Sequence, residues 1–411
     1  MPSRTMRAGR ALRVAAAAGL VAGTLAIGVG PVGAATPARA PLTITADQPP
    51  NVTPKGHLWA FNDFFPRSLT VHKGQTIQVA LDGFHTATFL PRGVSAAADL
   101  RANGIAAADA DDPGHNPGGQ THSMIRVPAL LPTSQTCGSR AAPCVFTGAA
   151  VVSSGAPLGP AAGPFVVTIN APVGVYVLHC RIHPGMTASI RVAPASARAT
   201  SVSALKAAVA AQIAADIKDA FRAEKQGSVV SKSTMSNGHT HWVVNVGASS
   251  VGSHVAILEF LPRKLSVQKG DVVTWRSTSA NEPHTVTFPV DVHTDQVPLC
   301  EDASTGTDTP AAPTVIPPTG PFDFACGTAP NTRPADEIEF APGNGVRTLV
   351  DTTTGSDSGL LASSAERAAL GLPSSAALGS WSITVSATAP AGTYTFVCQI
   401  HTGMKGRLIV H

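Results

Sequence analysis

The sequence predicts an all-β protein made of two copies of one domain, and three observations predict it. A strand-and-turn signature occurs twice, as "FFPRSLTVHKGQTI" from Phe64 to Ile77 and "FLPRKLSVQKGDVV" from Phe260 to Val273, aligned without a gap. A second signature also occurs twice, as "YVLHCRIHPGM" ending at Met186 and "YTFVCQIHTGM" ending at Met404. The chain has 2 tyrosines, Tyr176 and Tyr394, and both stand at the head of that second signature.

The first segment reads as an address label. Arg4, Arg7, Arg10 and Arg13 lead into an apolar Ala/Gly/Val-rich stretch from Val14 to Val32, and small residues follow, with cleavage points after Ala34 or Ala40. This is the layout of a secretory signal peptide over 1–40. The alternative is a retained membrane anchor, since the run is nearly long enough to span. The net charge of +4 includes those four arginines and Arg39, with no acid from the same segment. The rest of the chain is close to neutral, which gives no reason to expect nucleic acid or an anionic membrane as a partner. No second apolar stretch is long enough to span a bilayer, so after cleavage the expectation is a secreted or cell-surface protein.

The first domain is expected over 41–195 and the second over 229–411. In each, apolar and polar residues alternate and then break at Lys-Gly, the pattern of a half-buried strand closed by a turn. His85 follows Gly74 by eleven residues in "GFHTATFLP", and His284 follows Gly270 by fourteen in "EPHTVTFP". Pro172, Gly174 and Tyr176 lead to Cys180 just as Pro390, Gly392 and Tyr394 lead to Cys398. The stretches 86–179 and 285–397 are rich in Pro, Gly, Ala, Ser and Thr. They read mainly as surface loop that covers something or forms an interface, with a short helix at Ser363–Leu372. Between the domains, over 196–228, Val202, Leu205, Val209, Ile213, Ile217 and Phe221 form an apolar stripe at helical spacing. The polar face is not strongly basic, so this is a linker helix packing on a domain rather than a membrane-surface helix.

Of the 6 cysteines, Cys180 and Cys398 belong to the repeated signature. Cys137 with Cys144, and Cys300 with Cys326, remain as two close pairs that an exported chain could bridge.

The signature carries chemistry. A thiolate and two imidazoles form a trigonal donor set, and a methionine sulfur can approach weakly along the axis. Soft sulfur donors select copper and suit an ion that cycles between cuprous and cupric states, whereas zinc would prefer a stronger fourth ligand. Cys, His and Met share one short turn while the other His reaches in from a distant strand, so the donor set requires the folded domain.

With these residues the chain resembles the cupredoxins, the blue-copper family of plastocyanins and amicyanins, over roughly 50–192 and 243–411 apart from the insertions. The resemblance implies a Greek-key β-sandwich in each domain. It makes His85, Cys180, His183 and Met186 one type-1 copper site, and His284, Cys398, His401 and Met404 a second. The short Cys-x2-His-x2-Met loop is similar to that of amicyanin. Two type-1 coppers imply one-electron transfer with a redox partner protein or a small donor or acceptor, and His183 or His401 as the exit for the electron.

Two other functions remain open. Copper nitrite reductases and small laccases also carry two such domains, but need further coppers held by extra histidines. Here Arg181, Val397 and Gln399 break the His-Cys-His core, and no histidine closely follows His85 or His284. His179, expected to point away from the face of Cys180, could build an interdomain site with His239 and His241. His115, His122 and Met124 could form a low-affinity copper loop. Copper capture or delivery outside the cytoplasm is the remaining class.

Overall fold

The structure is a computed structural model and describes residues 41–47, 52–109, 122–157, 163–289, 296–302, 307–310, 332–340, 345–372 and 379–411, the backbone alone in 106–109, 122–125, 127, 296–302, 307–310 and 332–340. The leader, His115 and Cys326 of the proposed Cys300–Cys326 bridge lie outside the described residues, and Cys300, His122 and Met124 are described only in their backbone.

The alternating run in each copy forms a strand with one buried face. Leu69 and Val71 of Ser68–His72 point inward, as do Leu265 and Val267 of Lys264–Val267. Both strands pair in parallel with the last strand of their own copy. Leu69 stands opposite Ile190 in Thr187–Ala193, and Leu265 opposite Leu408 in Lys405–Val410. These strands belong to five-stranded sheets that also contain the strands leading to the cysteines, Gly174–His179 and Gly392–Val397.

A second sheet closes each copy into a sandwich. In the first it runs Phe64–Phe65, Leu42–Ala46, Thr76–Leu81, Phe165–Ile169, Cys144–Phe146. Ile44, Ile77, Val79 and Val167 from it share one core with Phe89, Tyr176, Leu178 and Ile190 from the other sheet. In the second copy Val244, Val273, Trp275 and Ile383 meet Leu265, Phe288, Phe396 and Leu408 in the same way. The all-β expectation of two sandwiches therefore holds. The repeated proline and tyrosine have a shared use: Tyr176 donates its hydroxyl to Pro172 O at 2.9 Å, and Tyr394 to Pro390 O at 2.8 Å. Each buried ring thus has a partner for its polar end.

Among their described residues the insertions contribute strands and two α-helices. The first supplies Cys144–Phe146 and Phe165–Ile169 to its sandwich, and Cys137 and Cys144 are joined by a disulfide. Strands Ala106–Asp109 and His122–Arg126 from the first insertion form one sheet with Gln296–Asp302, Thr307–Pro310 and Thr332–Phe340 from the second, Ile125 standing opposite Ile338. Helix α1, Ala96–Asn103, also comes from the first insertion and buries Leu100 against Leu370 and Leu372. These insertions make an interface, one of the two uses expected of them.

Helix α2, Val202–Gly227, starts at Ser201, whose hydroxyl accepts from Ala204 N. Ile213, Ile217, Ala220 and Ala223 pack on Phe61 and Phe65 from the first half and Ile257 and Leu261 from the second. The packing linker expected from the apolar stripe is what forms, although Val202 and Phe221 stay exposed. Strand Trp59–Ala60, from the first repeat, adds to the second copy's sheet beside Ala256–Leu261. Helix α3, Ser364–Leu370, is capped by Ser363 and ends at Gly371, close to the span read from the sequence. Among the described residues no helix is long and apolar enough to cross a membrane.

Candidate metal centres

Each repeated signature folds into a tight turn at one end of its sandwich. Cys180 N donates to Met186 O at 3.1 Å and Met186 N to His183 O at 3.3 Å; Cys398 and Met404 repeat both bonds at 3.1 Å. Gly185 (φ 84°) and Gly403 (φ 92°) adopt the left-handed conformation that the turn requires, which explains the glycine before each methionine. Met186 and Met404 are buried in the same cores as Cys180 and Cys398.

The distant histidines were expected on a strand, but enter from the segments just before the short strands Thr88–Phe89 and Thr287–Phe288. His85 Nδ1 lies 2.9 Å from His183 Nδ1, which is 3.7 Å from Cys180 Sγ. In the second copy His284 Nδ1 is 3.1 Å from His401 Nδ1, and Cys398 Sγ is 3.5 Å from His401 Nδ1 and 4.0 Å from His284 Nδ1. Each set has its three donor atoms within 4.8 Å of one another, an arrangement that could hold a metal ion. Lone pairs of two imidazoles facing each other at this distance suit a shared cation, and metal–nitrogen bonds of about 2.0–2.1 Å fit such a triangle.

The surroundings favour the thiolate. Thr86 N and Ile182 N point at Cys180 Sγ from 3.3 and 3.4 Å, and Thr285 N at Cys398 Sγ from 3.4 Å. Burial opposes ionisation, yet His183 and His85 beside Cys180, and His401 and His284 beside Cys398, hold both thiols well below their ordinary value. Thr86 and Thr285 have a second use, accepting from Arg181 N at 2.8 Å and Gln399 N at 2.9 Å, which ties the histidine segment to the cysteine turn. The sequence reading passed over these threonines, although "HTATF" and "HTVTF" repeat them.

The two centres differ behind their first histidine. His85 Nε2 lies 3.4 Å from Asp47 Oδ2. His284 Nε2 is buried with no hydrogen-bond partner and faces Gly247, where an added Cβ would lie 2.0 Å from it. Burial lowers the basicity of His284, whereas the Asp47 hydrogen bond, working against burial, raises that of His85. Asp47 and Gly247 occupy equivalent places: Ala46 stands opposite Leu81 and Val246 opposite Ser277, and both following residues have left-handed φ, 67° and 65°.

The far nitrogens of the loop histidines, the residues expected to pass the electron to a partner, both lie against one carboxylate. His183 Nε2 is 3.1 Å from Glu282 Oε1, and His401 Nε2 is 3.3 Å from Glu282 Oε2. Glu282 is buried, and Asn62 Nδ2 from the first half donates to its Oε1 at 2.8 Å. Burial works against them, but the thiolates and Glu282 push both loop histidines up to about 10. Burial, with the charge of Glu282, holds the Glu366 carboxyl well above the carboxylate range. Glu282 precedes its own histidine in "EPHTVTFP" and was not singled out from sequence.

His179 does not meet His239 or His241, with which it could have built an interdomain site. Its Nε2 pairs with Asp99 Oδ2 of α1 at 2.8 Å, and Arg181 donates to both Asp99 oxygens from 2.8 and 3.0 Å. His241 Nε2 sits 2.8 Å from Thr274 Oγ1. Among the described residues no group of candidate ligands contains His179, His239 or His241. His57, Glu224 and Glu259 do cluster. Those carboxylates are already matched, Glu224 by His57 and Trp59 and Glu259 by Arg263.

No family model and no curated protein matches the chain. Among solved structures it is similar to a fern plastocyanin (20% identity, 41% of this chain and 99% of that chain, TM-score 0.19). A multicopper oxidase, mgLAC, matches over 90% of this chain and 85% of its own at 12% identity (TM-score 0.17). An amicyanin variant matches at 16% identity over 41% of this chain and 80% of that one (TM-score 0.15). An auracyanin of Roseiflexus castenholzii matches at 22% over 38% and 99% (TM-score 0.21). Plastocyanin, amicyanin and auracyanin are cupredoxins, the family that the sequence resembles.

Proposed function

We propose that the chain is an exported protein with two type-1 copper centres that carries single electrons between redox partners. The observation that supports it most is the duplicate convergence of His85, Cys180 and His183, and of His284, Cys398 and His401, each with a methionine buried in the same core. Copper bound to such a set supplies a one-electron couple with little change in ligands. The chain's own residues hold that geometry. Backbone N–H groups of Thr86, Ile182 and Thr285 stabilise the thiolates, the Thr86 and Thr285 hydroxyls lock the two segments together, and burial keeps water from the donors. With two histidines, a cysteine and a methionine bound to it, a copper in either centre would have no open position for a substrate. Export rests on the composition of 1–40.

A two-domain copper oxidoreductase would need a further copper between the halves. The engagement of His179 with Asp99 and Arg181 counts against that reading. The test is the optical and spin-resonance spectrum of copper-loaded full-length protein. Two coppers per chain, both type-1, are expected, with no turnover of phenolic donors with oxygen or of nitrite. A type-2 signal and turnover that both vanish with His179→Ala would replace the carrier by the enzyme.

A further inference from the structure

We propose that Glu282 wires the two centres into one internal relay, its carboxylate being the link through which an electron delivered to one centre reaches the other. This rests on the two-centre reading above. When Nδ1 of His183 and of His401 turns its lone pair to a metal, Nε2 carries the proton and must donate it. Both donate to the same carboxylate, one to each oxygen, at 3.1 and 3.3 Å. The path from one cysteine turn to the other is therefore imidazole, carboxylate, imidazole, joined by two charge-assisted hydrogen bonds.

The bridge is built rather than incidental. Glu282 is 7% exposed, so its two contacts are shielded from water. Asn62 Nδ2 fixes Oε1 from the other half, and Glu282 N donates to Ser279 Oγ at 3.1 Å, fixing the backbone. A carboxylate on the outer nitrogen of a ligating histidine fixes the ring and raises its basicity. Here one carboxylate does so for both centres, so a change of charge at either is felt by the group that orients the other.

The transfer balances simply. An outside one-electron donor reduces one centre; that centre is then oxidised by one electron as the other is reduced by one, and an outside acceptor takes the electron from there. No bond forms or breaks, and Glu282 stays ionised throughout.

The test uses the full chain loaded with copper at both centres. A Met404→Gln background shifts the spectrum of the second centre and makes the two distinguishable. After a substoichiometric pulse from a photoexcited donor, redistribution between the centres is followed by absorption and freeze-quench spin resonance. Glu282→Gln keeps the shape but can accept from one imidazole only, and Glu282→Ala removes the link. Both slow redistribution, by about tenfold or more. In the fully reduced, diamagnetic protein, the imidazole N–H signals assigned to His183 and to His401 are both protected, and both lose that protection in Glu282→Ala. Equal redistribution rates in the parent and both variants, with both centres loaded, overturn the proposal, as does an unprotected N–H at either His183 or His401 in the parent. Failure of the two-centre reading is separately visible: the parent itself would then lack two type-1 signals.

Discussion

Among single side chains, the contrast between Asp47 and Gly247 has the clearest consequence. A carboxylate 3.4 Å behind His85 favours the more positive, oxidised state of the first centre, and nothing equivalent stands behind His284. Asp47→Asn should therefore raise the midpoint potential of the first centre, on the order of 60 mV for a tenfold change in the equilibrium, and leave the second unmoved; spectroelectrochemistry reads both. Asp99 is a second case. Its carboxyl loses solvent on burial, but His179 and Arg181 hold it well below its ordinary value of 3.8. A depressed carboxyl contributes stability that is complete above its unfolded value and is lost as the pH falls below it. Asp99→Asn should cost about 3 kcal/mol at neutral pH and flatten the acid side of the melting-temperature profile below pH 3.8. An unchanged acid limb would mean that Asp99 is not the group titrating there. Six of the eight candidate ligands recur at one repeated spacing, and His85 and His284, at different distances from their Lys-Gly, recur within "HTATF" and "HTVTF". Asp47, Asp99 and Glu282 occur once each, in places where the two copies differ, and a repeat cannot reveal what it does not repeat.

Strands and turns determine how close the backbone comes to the ligands. Thr240–Ser249 pairs with Ala256–Leu261 through a register shift between Val246 and Ala248, and Gly247 at that irregularity brings main chain against the His284 ring. A side chain there would both strain a left-handed φ of 65° and occupy the imidazole's space. Gly247→Ala should therefore displace His284 and abolish the visible absorption of the second centre while the first keeps its own. Absorption unchanged at both centres would show that the ring has room to shift. Helix α2 was legible from its six-residue apolar stripe, and a short helix was expected at Ser363–Leu372, where α3 forms. The strands inside the insertions were not. Phe165–Ile169 is a five-residue run beside a Pro- and Gly-rich segment, and its strand state depends on pairing with Thr76–Leu81 and Cys144–Phe146, a tertiary partner that local pattern does not announce.

For the molecule as a whole, the two sandwiches meet at the ends that carry the cysteine turns. Gly185 of the first turn lies against Gly252 and Ser253, Asn62 reaches Glu282, and α1 packs on the α3 segment. Glu282 lies in the segment from Gly270 to His284, which is longer than its counterpart from Gly74 to His85. Where the two sandwiches meet, His183 is buried and His401 is partly buried, both against Glu282. Sequence comparison of the copies could show that they are alike, but not that they face each other, since that depends on insertions with no counterpart between them. The central claim is that each copy binds one copper through its own thiolate. The most direct measurement is the visible thiolate-to-copper absorption of the copper-loaded parent, Cys180→Ser and Cys398→Ser. Each substitution should remove about half of the absorption and leave the other centre's type-1 spin-resonance signal. Loss of all of it in one variant and none in the other would contradict the account.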